Sequence, residues 1–138
     1  MAVDYGDVRT GIACSDSSGT LAFPHGVIVE RDINKVALKI LSLLSNNDIE
    51  LLVIGLPKNM DGTTGKQADK CLTLAKLIGE QTLIEVITWD ERVTTKIATT
   101  YMNETDTRGK KRRDTIDEVA ATVILQSYLD YRKLNNKG

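Results

Sequence analysis

The chain predicts an α/β fold, a mixed five-stranded sheet flanked by helices, and three observations lead there. Its apolar side chains recur first at two-residue spacing, then alternate between helical spacing and short continuous runs. Its early strands are separated by tight glycine-bearing turns, whereas the later ones are separated by helix-length segments. With 138 residues, 41% of them hydrophobic, there is material for one core, so a single domain over 1–138 is expected.

Met1-Ala2-Val3 leads into Asp4, and Tyr5 to Val8 form a turn through Gly6, so a short strand ends at Asp4. Arg9 to Ser15 then resumes a strand, and Gly26 to Arg31, with Val27, Ile28 and Val29, predicts a third. Ile33, Val36, Ala37, Ile40, Leu41 and Leu44 lie three and four apart, the apolar face of a helix over Asp32 to Asn47. Leu51 to Ile54, closed by Gly55, reads as a parallel strand covered on both faces. A turn-rich loop from Pro57 to Gly65 precedes a helix to about Glu80, with Ala68, Cys71, Leu72, Ala75 and Ile78 inward. Ile84 to Trp89 is the fifth strand, ending in Asp90-Glu91-Arg92. A short helix over Thr94 to Met102, a polar basic loop and a last helix from Thr115 to Tyr131 complete the chain. The order βββαβαβαα joins an antiparallel trio to parallel strands, the plan of the ribonuclease H-like fold.

A net charge of -1, from 18 basic and 19 acidic residues, excludes a uniformly basic polymer binder and confines any nucleic-acid contact to a local patch. Cys14 and Cys71 lie far apart in apolar surroundings, without metal-ligand spacing, and predict reduced structural thiols. No stretch approaches the roughly 20 apolar residues of a membrane span, and the N-terminus lacks a basic-then-apolar leader pattern. A cytoplasmic protein with no membrane partner is expected.

The acids carry the chemistry. Asp4 stands at the end of an apolar strand, where an unpartnered carboxylate would cost several kcal/mol to bury. It is either a metal ligand or the cap of an Asx turn. Asp90 and Glu91 end another strand, and ligands of open α/β sheets bind beyond the carboxyl ends of the parallel strands. Carboxylates converging from separate strands suit a hard cation; the alternative is a solvated strand end paired with Arg92. Asp117 flanks the apolar stripe Ile116, Val119, Ala120, Val123, Ile124 and Ser127, beside small residues that permit close approach to the sheet. Thr115 and Glu118 are also spaced as a capping box, so Asp117 has an equally good reading as a helix-start acid.

Arg108, Lys110, Lys111, Arg112 and Arg113 put five positive charges into six positions just before Asp117. A solvated loop is the expected structure, and beside carboxylates it suits a polyanion. Lys58 and Lys66 flank the loop after the fourth strand and add candidate phosphate contacts. Aromatic residues are only 4% of the chain, and the sequence announces no platform for stacking bases. Gly62 to Lys66 lacks the spacing of a phosphate-binding loop, and Gln67 stands where Ser or Thr is needed. His25, the only histidine, falls in a predicted loop and supports neither zinc nor triad chemistry.

Four motifs together resemble the YqgF family over essentially the whole chain. They are Asp4-x-Gly6-x-x-Arg9-x-Gly11 with Ser15-Asp16; Gly55-Leu56-Pro57-Lys58-Asn59-Met60-Asp61-Gly62; Asp90-Glu91-Arg92-x-Thr94-Thr95; and Ile116-Asp117-x-x-Ala120-Ala121 with Ile124-Leu125-Gln126-x-Tyr128-Leu129. Members of that family are described as Holliday junction resolvases and pre-16S rRNA nucleases. The resemblance implies a bacterial cytoplasmic nuclease of ribonuclease H-like fold, with Asp4, Glu91 (Asp90 second to it) and Asp117 as the acidic site. It departs from the family in having only three residues before Asp4, which predicts an unusually short central strand.

The mechanism expected from this reading is phosphodiester hydrolysis by one or two Mg2+ or Mn2+ ions held by the three acids. Arg9, Lys58, Lys66, Arg92 and the basic run would bind the substrate, structured RNA such as a pre-rRNA or branched DNA. A monomer or weak homodimer is expected, because no exposed apolar face announces a dimer. Two other classes remain open on sequence. Asp-x-Gly also opens the phosphate loop of sugar kinases and actin-like ATPases, although those need two such halves. A non-catalytic nucleic-acid-binding or ribosome-assembly module is the third.

Overall fold

The computed structural model describes residues 1–58, 61–62, 64–90 and 109–135, and of 109–116 the backbone alone. The strands are β1 (Ala2–Asp4), β2 (Arg9–Ser15), β3 (Ala22–Val29), β4 (Leu51–Leu56) and β5 (Glu85–Asp90), and the helices are α1 (Ile33–Asn46), α2 (Lys66–Gly79) and α3 (Gly109–Asn135). They build one sheet in the order β3-β2-β1-β4-β5. The β1/β2 and β2/β3 pairs are antiparallel, while β1/β4 and β4/β5 are parallel, as the alternation of turns and helices predicts.

Strand alternation divides the core into two layers. Val3, Ile12, Leu52, Ile54 and Leu56 point toward α1 and α2, where Val36, Ile40, Cys71, Leu74 and Ile78 complete the larger cluster. Ala2, Ala13 and Val53 point the other way, toward Ala121, Ile124, Leu125 and Leu129 of α3. The small residues on this second face let α3 lie close to the sheet. β1 has only three residues, yet it is central and paired on both sides. Its alignment is extended by Met1, whose carbonyl accepts from Val53 N at 2.9 Å and whose amino group donates to Leu51 O at 3.0 Å.

Several elements differ from expectation. β3 starts at Ala22, so His25 lies in an exposed edge strand rather than a loop. Pro24 is tolerated there because an edge strand has a side with no ladder to complete. Leu74, not Leu72, fills the inward face of α2, leaving Leu72 partly exposed. α3 begins at Gly109, six residues before the expected start, and so takes in the basic run from Lys110 to Arg113. Lys and Arg are good helix formers and need no apolar partner to extend a helix already anchored downstream. The expected helix over Thr94 to Met102 lies outside the described residues. No helix among the described residues is long and apolar enough to cross a membrane.

Candidate active site

Asp4 is the last residue of β1 and half-buried. Val3 belongs to the α1/α2 core and Ala2 to the α3 core, so alternation puts the Asp4 side chain on the α3 face. Directly opposite it in the β1/β2 register is Gly11. A Cβ on Gly11 would overlap the main-chain carbonyl of Asp117, so the helix backbone rests on this glycine. Asp4 and Asp117 are thereby brought to the same residue, on the same face, from a strand and a helix. Asp117 is half-buried, and its Oδ2 atom is shielded from water.

The surroundings keep this place open. One step past the Val3–Ile54 pair lies Gly55, which is itself paired with Trp89 of β5. Asp4 is therefore flanked across the sheet by glycines on both sides, and the next side chains in its row are Val27 beyond Gly11 and Trp89 beyond Gly55. The turn after Asp4 is held from α2: Gln67 Nε2 donates to Tyr5 O at 3.0 Å, and Lys70 pairs with Asp7 at 2.8 Å. That exposed pair raises the pKa of Lys70 through its hydrogen bond and charge contact with Asp7. Gly6 is required in this turn because a Cβ would overlap the Arg9 carbonyl.

Asp90 shares the carboxyl edge but not the face. It pairs with Leu56, and Val86 of the same alternation packs into the α1/α2 core, whereas Ile87 and Trp89 pack with α3. Glu91, Arg92 and Arg108 lie outside the described residues. Among the described residues no group of three or more His, Cys, Asp or Glu could hold a metal ion; what meets at Gly11 is Asp4, in register beside it, and the main-chain carbonyl of Asp117. Arg9 opens β2 on the Gly11 face, half-buried and next to the Asp4 turn. Lys58 is bridged to Thr64 across the loop after β4, and Lys66 is the exposed first residue of α2.

Two readings of the sequence change here. Lys110, Lys111, Arg112 and Arg113 occupy the first turns of α3, not a loop. Asp117 stands more than two turns inside that helix, so the capping-box reading of Thr115 and Glu118 does not hold. The sequence did not announce a third feature. Trp89 meets Tyr128 edge-on at 5.5 Å and Tyr131 at 5.2 Å, an aromatic cluster between β5 and α3. The spacing of Tyr128 and Tyr131 on one helix face was the available signal. A cavity of about 710 Å³ lies at the other end of the sheet, lined by Met1, Ser15, Leu51 and Leu129, and is separate from Asp4.

The family described as "RuvX: Holliday junction resolvase" matches residues 1–131. A Halothermothrix orenii protein named "Putative pre-16S rRNA nuclease" is 38% identical over 132 residues, 96% of this chain and 94% of that one. A Clostridium botulinum (strain Hall) protein of the same name is 42% identical over 130 residues, 94% of this chain and 95% of that one. Among solved structures, T. thermophilus RuvC in complex with Holliday junction substrate matches with a TM-score of 0.63 at 10% identity, covering 96% of this chain and 93% of that one. A second Thermus thermophilus RuvC structure gives 0.60 at 9% identity. Likeness at such low identity speaks to the fold, and it meets the ribonuclease H-like plan expected from the strand order.

Proposed function

The chain belongs to the RuvX family of Holliday junction resolvases, the YqgF proteins, and we propose from that premise a nuclease using Mg2+ or Mn2+ on structured nucleic acid. Its first substrate on this reading is pre-16S rRNA, after the names of its relatives, with trimming of the 5′ end as the resemblance to the YqgF family implies. The observation that carries the proposal is the meeting of Asp4 and Asp117 at Gly11. Oxygen donors from a strand and a helix, with glycines on both sides of Asp4, fit a hard cation, which takes carboxylates and keeps room for water and phosphate. The ion would supply a hydroxide at neutral pH and stabilise charge on the leaving oxygen.

The chain's own groups would do the rest. Asp4, held in the central strand, fixes the position of the site. Asp117 closes it from the helix. Glu91 is proposed as the third ligand over Asp90. Strand alternation gives Asp90 the α1/α2 face, away from Asp4 and Asp117. Arg9, Lys58, Lys66, Arg92, Arg108 and the four cations of Lys110 to Arg113 are proposed to hold phosphates.

Asp4→Asn is expected to abolish Mn2+-dependent cleavage of a pre-16S rRNA fragment with little change in thermal unfolding. Calorimetry should show loss of Mn2+ binding in the same variant. A variant that cuts as fast as wild type would refute the site.

The description of its family as a Holliday junction resolvase favours branched DNA as the second reading. Junction resolution needs two matched cuts and hence a symmetric dimer. We propose a monomer or weak homodimer, one domain over 1–138, in the cytoplasm, which puts RNA processing first.

A further inference from the structure

The cluster of Trp89, Tyr128 and Tyr131 has no role in the acidic site, yet its construction is that of a surface rather than a core. Trp89 is fixed from below: Tyr128 meets it edge-on at 86°, and its indole Nε1 donates to Ser127 Oγ at 3.3 Å. Tyr131 lies against Trp89 at 57° with 51% of its surface exposed, so one side of its ring is backed and the other is open to solvent. Arg132 follows it in the last turn, exposed and with no salt bridge among the described residues, whereas Lys133 lies on the other side of the helix.

We propose that Tyr131, backed by Trp89, stacks an unpaired base of the nucleic-acid substrate while Arg132 takes an adjoining phosphate. An exposed aromatic ring with neighbouring cations is the combination that binds single strands irrespective of sequence. Fourteen residues of helix separate Asp117 from Tyr131, about 21 Å along α3. A single strand leaving the acidic site spans that distance with about six stacked nucleotides at 3.4 Å each. The protein would therefore prefer a duplex that carries a single-stranded tail over a blunt one, with a threshold in tail length. This inference rests on the nuclease reading for its substrate, but its test needs no cleavage.

Trp89 is the only tryptophan, so its emission reports on this place alone. In EDTA, titrating the full chain with an RNA hairpin bearing a tail longer than about six nucleotides should quench Trp89. A blunt hairpin, which occupies only the Asp4 end of the row that Trp89 shares across Gly55, should quench it less. Tyr131→Ala should bind the tailed hairpin about tenfold more weakly and the blunt one equally well, while Tyr131→Phe keeps the preference. Equal affinity of Tyr131→Ala and wild type for the tailed hairpin overturns the proposal. So does a Trp89 emission that shifts with protein concentration without RNA, which would assign the patch to a second copy of the chain. Failure of the nuclease reading would show separately, as absence of Mn2+-dependent cleavage by the wild type.

Discussion

Gly11 shows how much of the site depends on one missing side chain. Its backbone is the floor on which Asp117 rests, and Asp4 stands beside it in register. Gly11→Ala must either push α3 outward or bend β2. Overpacking of this kind costs about 1–3 kcal/mol, measurable as a lowered urea midpoint. Activity should fall by more than stability, because a displacement of about 1 Å at a reacting site costs on the order of a hundredfold. Unfolding midpoint and cleavage rate measured on the same preparation separate the two effects. In the sequence Gly11 was visible as part of a motif, but its function as a helix seat was not. No periodicity reveals which residue a distant helix will touch.

Among the elements, α3 diverges most from what its sequence suggests. Val119, Val123 and Ile124 have the spacing of a buried stripe and were legible as helix. The segment before them has no apolar residue from Gly109 to Thr115, so apolar periodicity is silent there, and Thr115 to Glu118 imitates a helix start. β3 was clipped for a related reason: Pro24 and Gly26 are turn residues in most contexts, and only an edge position makes them compatible with a strand. The parallel strands were easier, because burial on both faces leaves a continuous apolar run. Placing Lys110 to Arg113 on a helix has a measurable consequence. Replacing all four by Gln should reduce the salt dependence of RNA binding. The slope of log K against log salt should fall by about 0.7–0.9 for each phosphate that is no longer neutralised. An unchanged slope would remove these residues from the interface.

Taken as a whole, the protein guards its two thiols unequally. Cys71 is 1% exposed at the centre of the α1/α2 layer, while Cys14 is only partly covered. Burial pushes the Cys14 thiol above its ordinary value of 9.0, with the amino terminus opposing it more weakly. The folded chain thus holds that proton more tightly than the unfolded chain. The resulting stability is complete below the unfolded thiol's pKa and is lost as pH rises through the raised folded value. Alkylation followed by mass spectrometry should find Cys14 reacting first, with its rate rising at higher pH than that of an unfolded control. Cys71 should react only when denaturant opens the molecule, at a rate that tracks global unfolding. Modification of Cys71 in native buffer ahead of Cys14 would contradict the packing.

The shortness of β1 bears on fidelity of folding. A three-residue strand offers few contacts to discriminate one alignment from the next, and here the alignment decides which side chain meets α3. A slip of one residue would send Asp4 into the layer of Val3, Ile54 and Ile40 and turn an apolar neighbour toward Asp117. That misfold would strand a carboxylate among aliphatic side chains at a cost of several kcal/mol, a large share of what holds a chain of this size together. The acid proposed as the metal ligand therefore also proofreads the sheet: an alignment that spoils the proposed site also forfeits the fold, and well-folded molecules with the site misplaced are selected against by the residue they would misplace.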